Sequence, residues 1–149
     1  MKTRIISALV GLAVLSVAIA FYDTIVFNLF ITALAAIGIY EAHHAAGITK
    51  THWRVTLYST LFAVFILLVP QGREYAMPAL YVLVVLVIAY ILEHHKTFTI
   101  REGSYVLLMG IGLPVVFGLI LLFRDRLGNE QGILYLAFLL GSAWWSDIG

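Results

Sequence analysis

Apolar residues in this chain come in long continuous runs separated by short polar breaks. Six runs approach the roughly 17–25 residues that a helix needs to cross the ~30 Å hydrocarbon core of a bilayer. They cover residues 5–21, 24–40, 55–70, 77–92, 104–123 and 133 to the chain end. None shows the period-two alternation of a barrel strand, so the pattern predicts helices. The expected architecture is an all-α, polytopic transmembrane helical bundle of about six spans, forming a single transmembrane domain over residues 1–149. Tyr22-Asp23 predicts a tight turn between the first two spans. In the fifth run, Gly110, Gly112 and Gly118 present a bare face for close helix approach, and Pro114 removes a backbone donor. A kink or local unwinding is therefore expected near Leu113-Pro114. Packing is the preferred account of these residues over a cavity wall, because Gly and Pro are ordinary in membrane helices.

Composition sharpens this picture. Hydrophobic residues make up 62% of the chain and charged residues 11%, against about 25% charged in a soluble domain. Too little polar surface remains to coat a soluble globule. The charges are scattered singly, with a net charge of +1, so no basic stripe points to nucleic acid. The absence of cysteine excludes disulfides, thiolate metal sites and thiol catalysis. Lys2 and Arg4 before an apolar run, with Ala18-Ile19-Ala20 after it, resemble a signal peptide and its cleavage site. An uncleaved first span is the expected reading, since a second apolar run follows at once. With the N-terminus inside, Lys2, Arg4, Lys50, Arg54, Lys96 and Arg101 fall on the cytoplasmic side, and Arg73, Arg124 and Arg126 fall outside. That bias favours a cytoplasmic N-terminus; a multi-pass protein of the cell (inner) membrane is expected.

Candidate chemistry is sparse. Glu41-Ala42-His43-His44 and Glu93-His94-His95 place imidazoles beside carboxylates, a donor set suited to zinc or iron. Adjacent helical residues point about 100° apart, however, so a pair cannot easily grip one ion. Interfacial polar caps are the preferred reading, and His52 looks isolated in a loop. Phosphate-loop spacing is absent around Gly47 and Gly110. The most informative stretch is Gly141-Ser142-Ala143-Trp144-Trp145-Ser146-Asp147-Ile148-Gly149. Asp147 lies about 22 Å along the sixth run at 1.5 Å per residue, short of a ~30 Å core. A carboxylate at the bilayer centre costs about 2.5–3.5 kcal/mol on insertion scales, and less near an edge. Asp147 is thus either a functional carboxylate facing a cavity or cation, or an interfacial cap. Position alone does not choose between them.

Trp144-Trp145-Ser146-Asp147-Ile148-Gly149 resembles the start of the Asp-Thr-Gly-Ala-Tyr-Phe segment of phosphatidate cytidylyltransferases, with Ile148 in place of the usual Thr. The basic opening from Met1 to Val10, Tyr40-Glu41 at the end of span two and Gly112-Leu113-Pro114 in span five are similar to features of that family in the same order. The resemblance covers this whole chain but about the N-terminal half of such an enzyme. The family's Ser-x-x-Lys-Arg, Lys-Asp, His-Gly-Gly and paired-aspartate signature would fall after Gly149, so the chain is expected to be the N-terminal part of a longer membrane enzyme. The resemblance implies that the phosphate of phosphatidic acid attacks the α-phosphorus of CTP, giving CDP-diacylglycerol and diphosphate in phospholipid biosynthesis. It further implies Mg²⁺ as cofactor, Asp147 as a metal ligand and Ser146 as a substrate-binding residue. No catalytic residue is assigned within these residues, and the fragment is expected to be inactive alone. The implied partners are CTP, phosphatidic acid and the lipid bilayer, with a homodimer as a candidate assembly and no nucleic acid. A non-catalytic membrane scaffold subunit and a small transporter are the alternative classes.

Overall fold

The computed structural model describes residues 16–17, 19–69 and 72–148, with the side chains of 129, 130, 137 and 139–148 outside that description. Long apolar segments in a membrane must satisfy their backbone polar groups internally, which favours helix. The described residues are helical, joined by turns, with no strand among them. Helix α1 spans Ile25–Ala45 and is followed by one short turn of helix, α2, at Ile48–Thr51. Helices α3 and α4 span Trp53–Leu68 and Ala76–Glu93, and α5 runs Ile100–Ile148.

Among the described residues, three helices are long and apolar enough to cross a membrane: Ile25–Ala45, Ala76–Glu93 and the first arm of α5, Ile100–Gly128. At 1.5 Å per residue they measure about 31, 27 and 43 Å. Helix α3 is also apolar but has 16 residues, or about 24 Å, less than a full ~30 Å core. Of the remaining expected spans, the run at 5–21 lies largely outside the described residues, as does part of Ala18-Ile19-Ala20. The run from 133 corresponds to the second arm of α5. Large apolar side chains face outward along these helices, among them Leu92, Leu108 and Tyr81. Exposed apolar surface on this scale in water would aggregate, and lipid is the solvent that fits it. This is a helical membrane protein.

Two expectations need correction. Helical backbone angles persist through Leu113 and Pro114, and Pro114 is buried inside the helix. The one non-helical residue within α5 is Gly128, at φ 71° and ψ −178°, a combination essentially confined to glycine. The break therefore sits where a side chain would be strained. The polar break before the sixth apolar run, expected to separate two spans, is accordingly helix on both sides of Gly128.

The chain forms two compact units, Met1–Phe30 with Ile120–Gly149, and Ile31–Leu119. In the first, a turn at 21–24 matches the expected position, and the Thr24 hydroxyl bonds the Phe21 carbonyl at 2.8 Å and receives the Val26 amide at 3.3 Å. Arg124 organises this unit. Its guanidinium donates to Asn28 Oδ1 at 2.5 Å and to the Tyr22 carbonyl at 3.4 Å, and pairs with Asp125 at 2.9 Å. It also lies 5.8 Å from the Phe27 ring centroid. Tyr22 packs against Gly132, where a Cβ would collide with its hydroxyl. Burial holds the Tyr22 phenol above its ordinary pKa, against the lowering pull of Arg124.

In the second unit the close approach falls at Gly110. A Cβ there would meet Ser59 Oγ at 2.5 Å and Ser59 Cβ at 2.8 Å, whereas Gly112 has nothing within 4 Å. Gly118 would make only ordinary contact, 3.5 Å from Leu67. Of the three glycines expected to form a bare face on α5, Gly110 makes a close approach, which supports the packing account.

Candidate functional site

The second unit gathers its polar chemistry at one end, where α1 stops, α2 and α3 begin, α4 stops and α5 begins. The local cause is the run of polar residues at each helix terminus. Thr99-Ile100-Arg101-Glu102 forms a capping box at the start of α5: Glu102 Oε2 accepts the Thr99 amide and hydroxyl, both at 2.7 Å, and Thr99 Oγ1 receives the Glu102 amide at 3.3 Å. The Thr-x-x-Glu spacing before an apolar run is a signal the sequence carries for this terminus.

His52 is the residue that sequence reasoning undervalued. It is buried, with Nδ1 3.1 Å from the Tyr90 hydroxyl and Nε2 3.1 Å from the Thr97 carbonyl. A carbonyl can only accept, so Nε2 carries a proton, and in the neutral ring Nδ1 then accepts from the Tyr90 hydroxyl. The ring also packs against Phe98 and edge-on to His94. His52 thus ties the start of α3 to the end of α4 and the turn beyond it. No spacing rule could have exposed this, because its partners are 38 and 45 residues away.

The histidine pairs divide by face. His43 is fully buried, its Nδ1 3.0 Å from Thr56 Oγ1 and its ring tilted against Tyr105. Its Nε2 is buried without a well-formed hydrogen bond, in weak contact with the backbone of Val106. His44, one residue on, is exposed and bonds Thr49 Oγ1 at 2.9 Å. The cap reading therefore fails for His43, because successive helical positions rotate by about 100° and one of the pair turns inward; the reading of His52 as isolated in a loop fails too, since it is buried against Tyr90 and Thr97. The cap reading suits His95, exposed and donating to the Leu92 carbonyl at 3.1 Å. His94 stacks on Tyr90 with centroids 4.1 Å apart.

Openings among the described residues lie at this end. One of about 750 Å³ is lined by Ala45, Ala46, Ile48, Thr99, Arg101, Glu102 and Tyr105. A second, about 490 Å³, sits between His52, Arg54, Tyr90 and His94. A third, about 400 Å³, runs between α1 and α3. Among the described residues, no three His, Cys, Asp or Glu side chains converge to hold a metal ion. Glu102 is committed to its cap. Mg²⁺ demands several oxygen ligands in near-octahedral geometry, and the described side chains do not make such a cage. Ser146 and Asp147 lie in the helical second arm of α5, with their side chains outside the described residues.

The comparison that decides the family is sequence-wide. The model of the cytidylyltransferase family matches residues 2–149. The chain belongs to the cytidylyltransferase family. The resemblance carried by the motifs at either end is therefore a property of the whole chain. Neither the curated proteins nor the solved structures gave a match. By class, a member of the cytidylyltransferase family is a nucleotidyltransferase working on nucleotide and lipid substrates in a membrane setting. A clustered polar end on an otherwise apolar bundle is the kind of surface such chemistry requires, since the nucleotide arrives from water and the lipid from the bilayer.

Proposed function

We propose that this chain belongs to a phosphatidate cytidylyltransferase of phospholipid synthesis. The observation that carries the reading is the family match across residues 2–149 on a chain of long apolar helices. A phosphate oxygen of phosphatidic acid attacks the α-phosphorus of CTP. The bond from that phosphorus to the bridging oxygen breaks, and diphosphate leaves with the electron pair. The acyl chains of both lipid species stay in the bilayer, so the reacting phosphate must be held at its edge. Six spans, a cytoplasmic N-terminus and the cell (inner) membrane belong to the same reading, with CTP reaching the cytoplasmic face. A homodimer is compatible with it.

Within this proposal Asp147 is a Mg²⁺ ligand and Ser146 contacts substrate. Asp147→Asn keeps the volume and removes the charge. In the enzyme that contains these residues it should cut CDP-diacylglycerol formation by at least about tenfold, or about 1.4 kcal/mol of transition-state stabilisation. Membrane insertion should persist, because a neutral amide is easier to bury than a carboxylate. Raising Mg²⁺ should recover part of the loss. Near-normal turnover at limiting Mg²⁺ would reduce Asp147 to an interfacial cap.

A further inference from the structure

We infer that the groove between the C-terminal end of α1 and the start of α3 binds an anionic phospholipid through its headgroup phosphate. The groove measures about 400 Å³, within the range of ligand pockets and enough for a headgroup. Its polar lining is one-signed. Lys50 and His44 contribute the cationic and donor groups, threonine hydroxyls fill in between, and no carboxylate lines it. Thr49 occupies His44 Nδ1 at 2.9 Å. In the tautomer that accepts the Thr49 hydroxyl, Nε2 carries a proton that can be donated to a phosphate oxygen. The imidazole is held in place by stacking on Tyr40, with centroids 5.7 Å apart.

Continuity with an apolar track makes the occupant a lipid. Tyr40 and Trp53, both more than half exposed, flank the groove, as amphipathic rings do at the headgroup level. Below Trp53, Leu57, Leu61 and Phe65 are exposed at successive four-residue steps along α3, and Ile37 is exposed one turn below Tyr40. A free phosphate would use only the mouth. A phospholipid uses the mouth for its phosphate and the track for an acyl chain. This inference does not depend on the reaction proposed above.

The test uses Trp53 as reporter. The chain has three tryptophans, so a Trp144→Phe/Trp145→Phe background leaves Trp53 alone. The protein is placed in phosphatidylcholine nanodiscs, and acyl-brominated phosphatidylglycerol or acyl-brominated phosphatidylcholine is added at rising mole fraction. Brominated phosphatidylglycerol should reach half-maximal quenching at about a fivefold lower mole fraction, the effect expected of one basic residue near a membrane phosphate. Lys50→Gln should erase that preference and Lys50→Arg should keep it. Equal quenching by the two lipids, or an unchanged preference in Lys50→Gln, overturns the inference. So does loss of the preference on adding inorganic phosphate but not chloride of matched ionic strength, which would mark a site for soluble phosphate.

Discussion

Buried polar residues in a membrane bundle are expensive unless each donor finds an acceptor. His52 meets that condition with two partners on other elements, while His43 meets it on one nitrogen. Neither arrangement was legible in the sequence, which shows that a histidine is present but not which way its helix turns it. What could be read was the kind of contact at Gly110, and the structure narrows a three-glycine face to that single close approach. Gly110→Ala should destabilise the protein by about 1–3 kcal/mol, because the new methyl meets a Ser59 side chain held by its bond to the Val55 carbonyl. Adding Ser59→Gly removes both offending atoms and should restore much of the loss. The unfolding midpoints of the two single variants and the double variant in detergent give the coupling directly. Additive losses would show that the contact is not the cause.

Helix ends were legible to within a few residues where apolar runs meet charge. The run at 77–92 became Ala76–Glu93, and that at 55–70 became Trp53–Leu68. The run at 24–40 was read too short, because α1 continues through Glu41 and both histidines to Ala45; His43 is buried there and hydropathy alone could not show it. The break in α5 was misplaced for a definite reason. Proline removes one donor, but a membrane helix can keep its angles when neighbouring helices support it, whereas Gly128 adopts angles open only to glycine. Gly128→Ala should therefore cost about 1–3 kcal/mol of stability. Gly112→Ala, with nothing within 4 Å of the new methyl, should be neutral or stabilising by up to about 1 kcal/mol. Thermal unfolding of the two variants side by side checks the order, and the reverse order would put the break elsewhere.

For the whole molecule, class and family were legible because both rest on patterns spread along the chain: apolar runs for the membrane bundle, and ordered short motifs for the cytidylyltransferase family. Asp147 was singled out by its position in a run and by a six-residue resemblance, and its side chain lies outside the described residues. Topology can be tested on the chain itself, which has no native cysteine. Thr51 and Thr97 line the same opening, so single cysteines there should be labelled from one side of sealed vesicles, the cytoplasmic side. A cysteine at Asn129 should be labelled from the other. Labelling of Thr51 and Thr97 positions from opposite sides would contradict the fold, and labelling of both from outside would invert the orientation.

The most direct measurement follows the nucleotide. The natural gene product containing residues 1–149 is reconstituted in vesicles with Mg²⁺ and CTP labelled at the α-phosphorus, with or without phosphatidic acid. Label should pass into organic-soluble CDP-diacylglycerol only when phosphatidic acid is present, with one diphosphate released for each lipid labelled. Label that stays in the aqueous phase with phosphatidic acid, or passes into lipid equally well when diacylglycerol replaces it, would contradict the assignment.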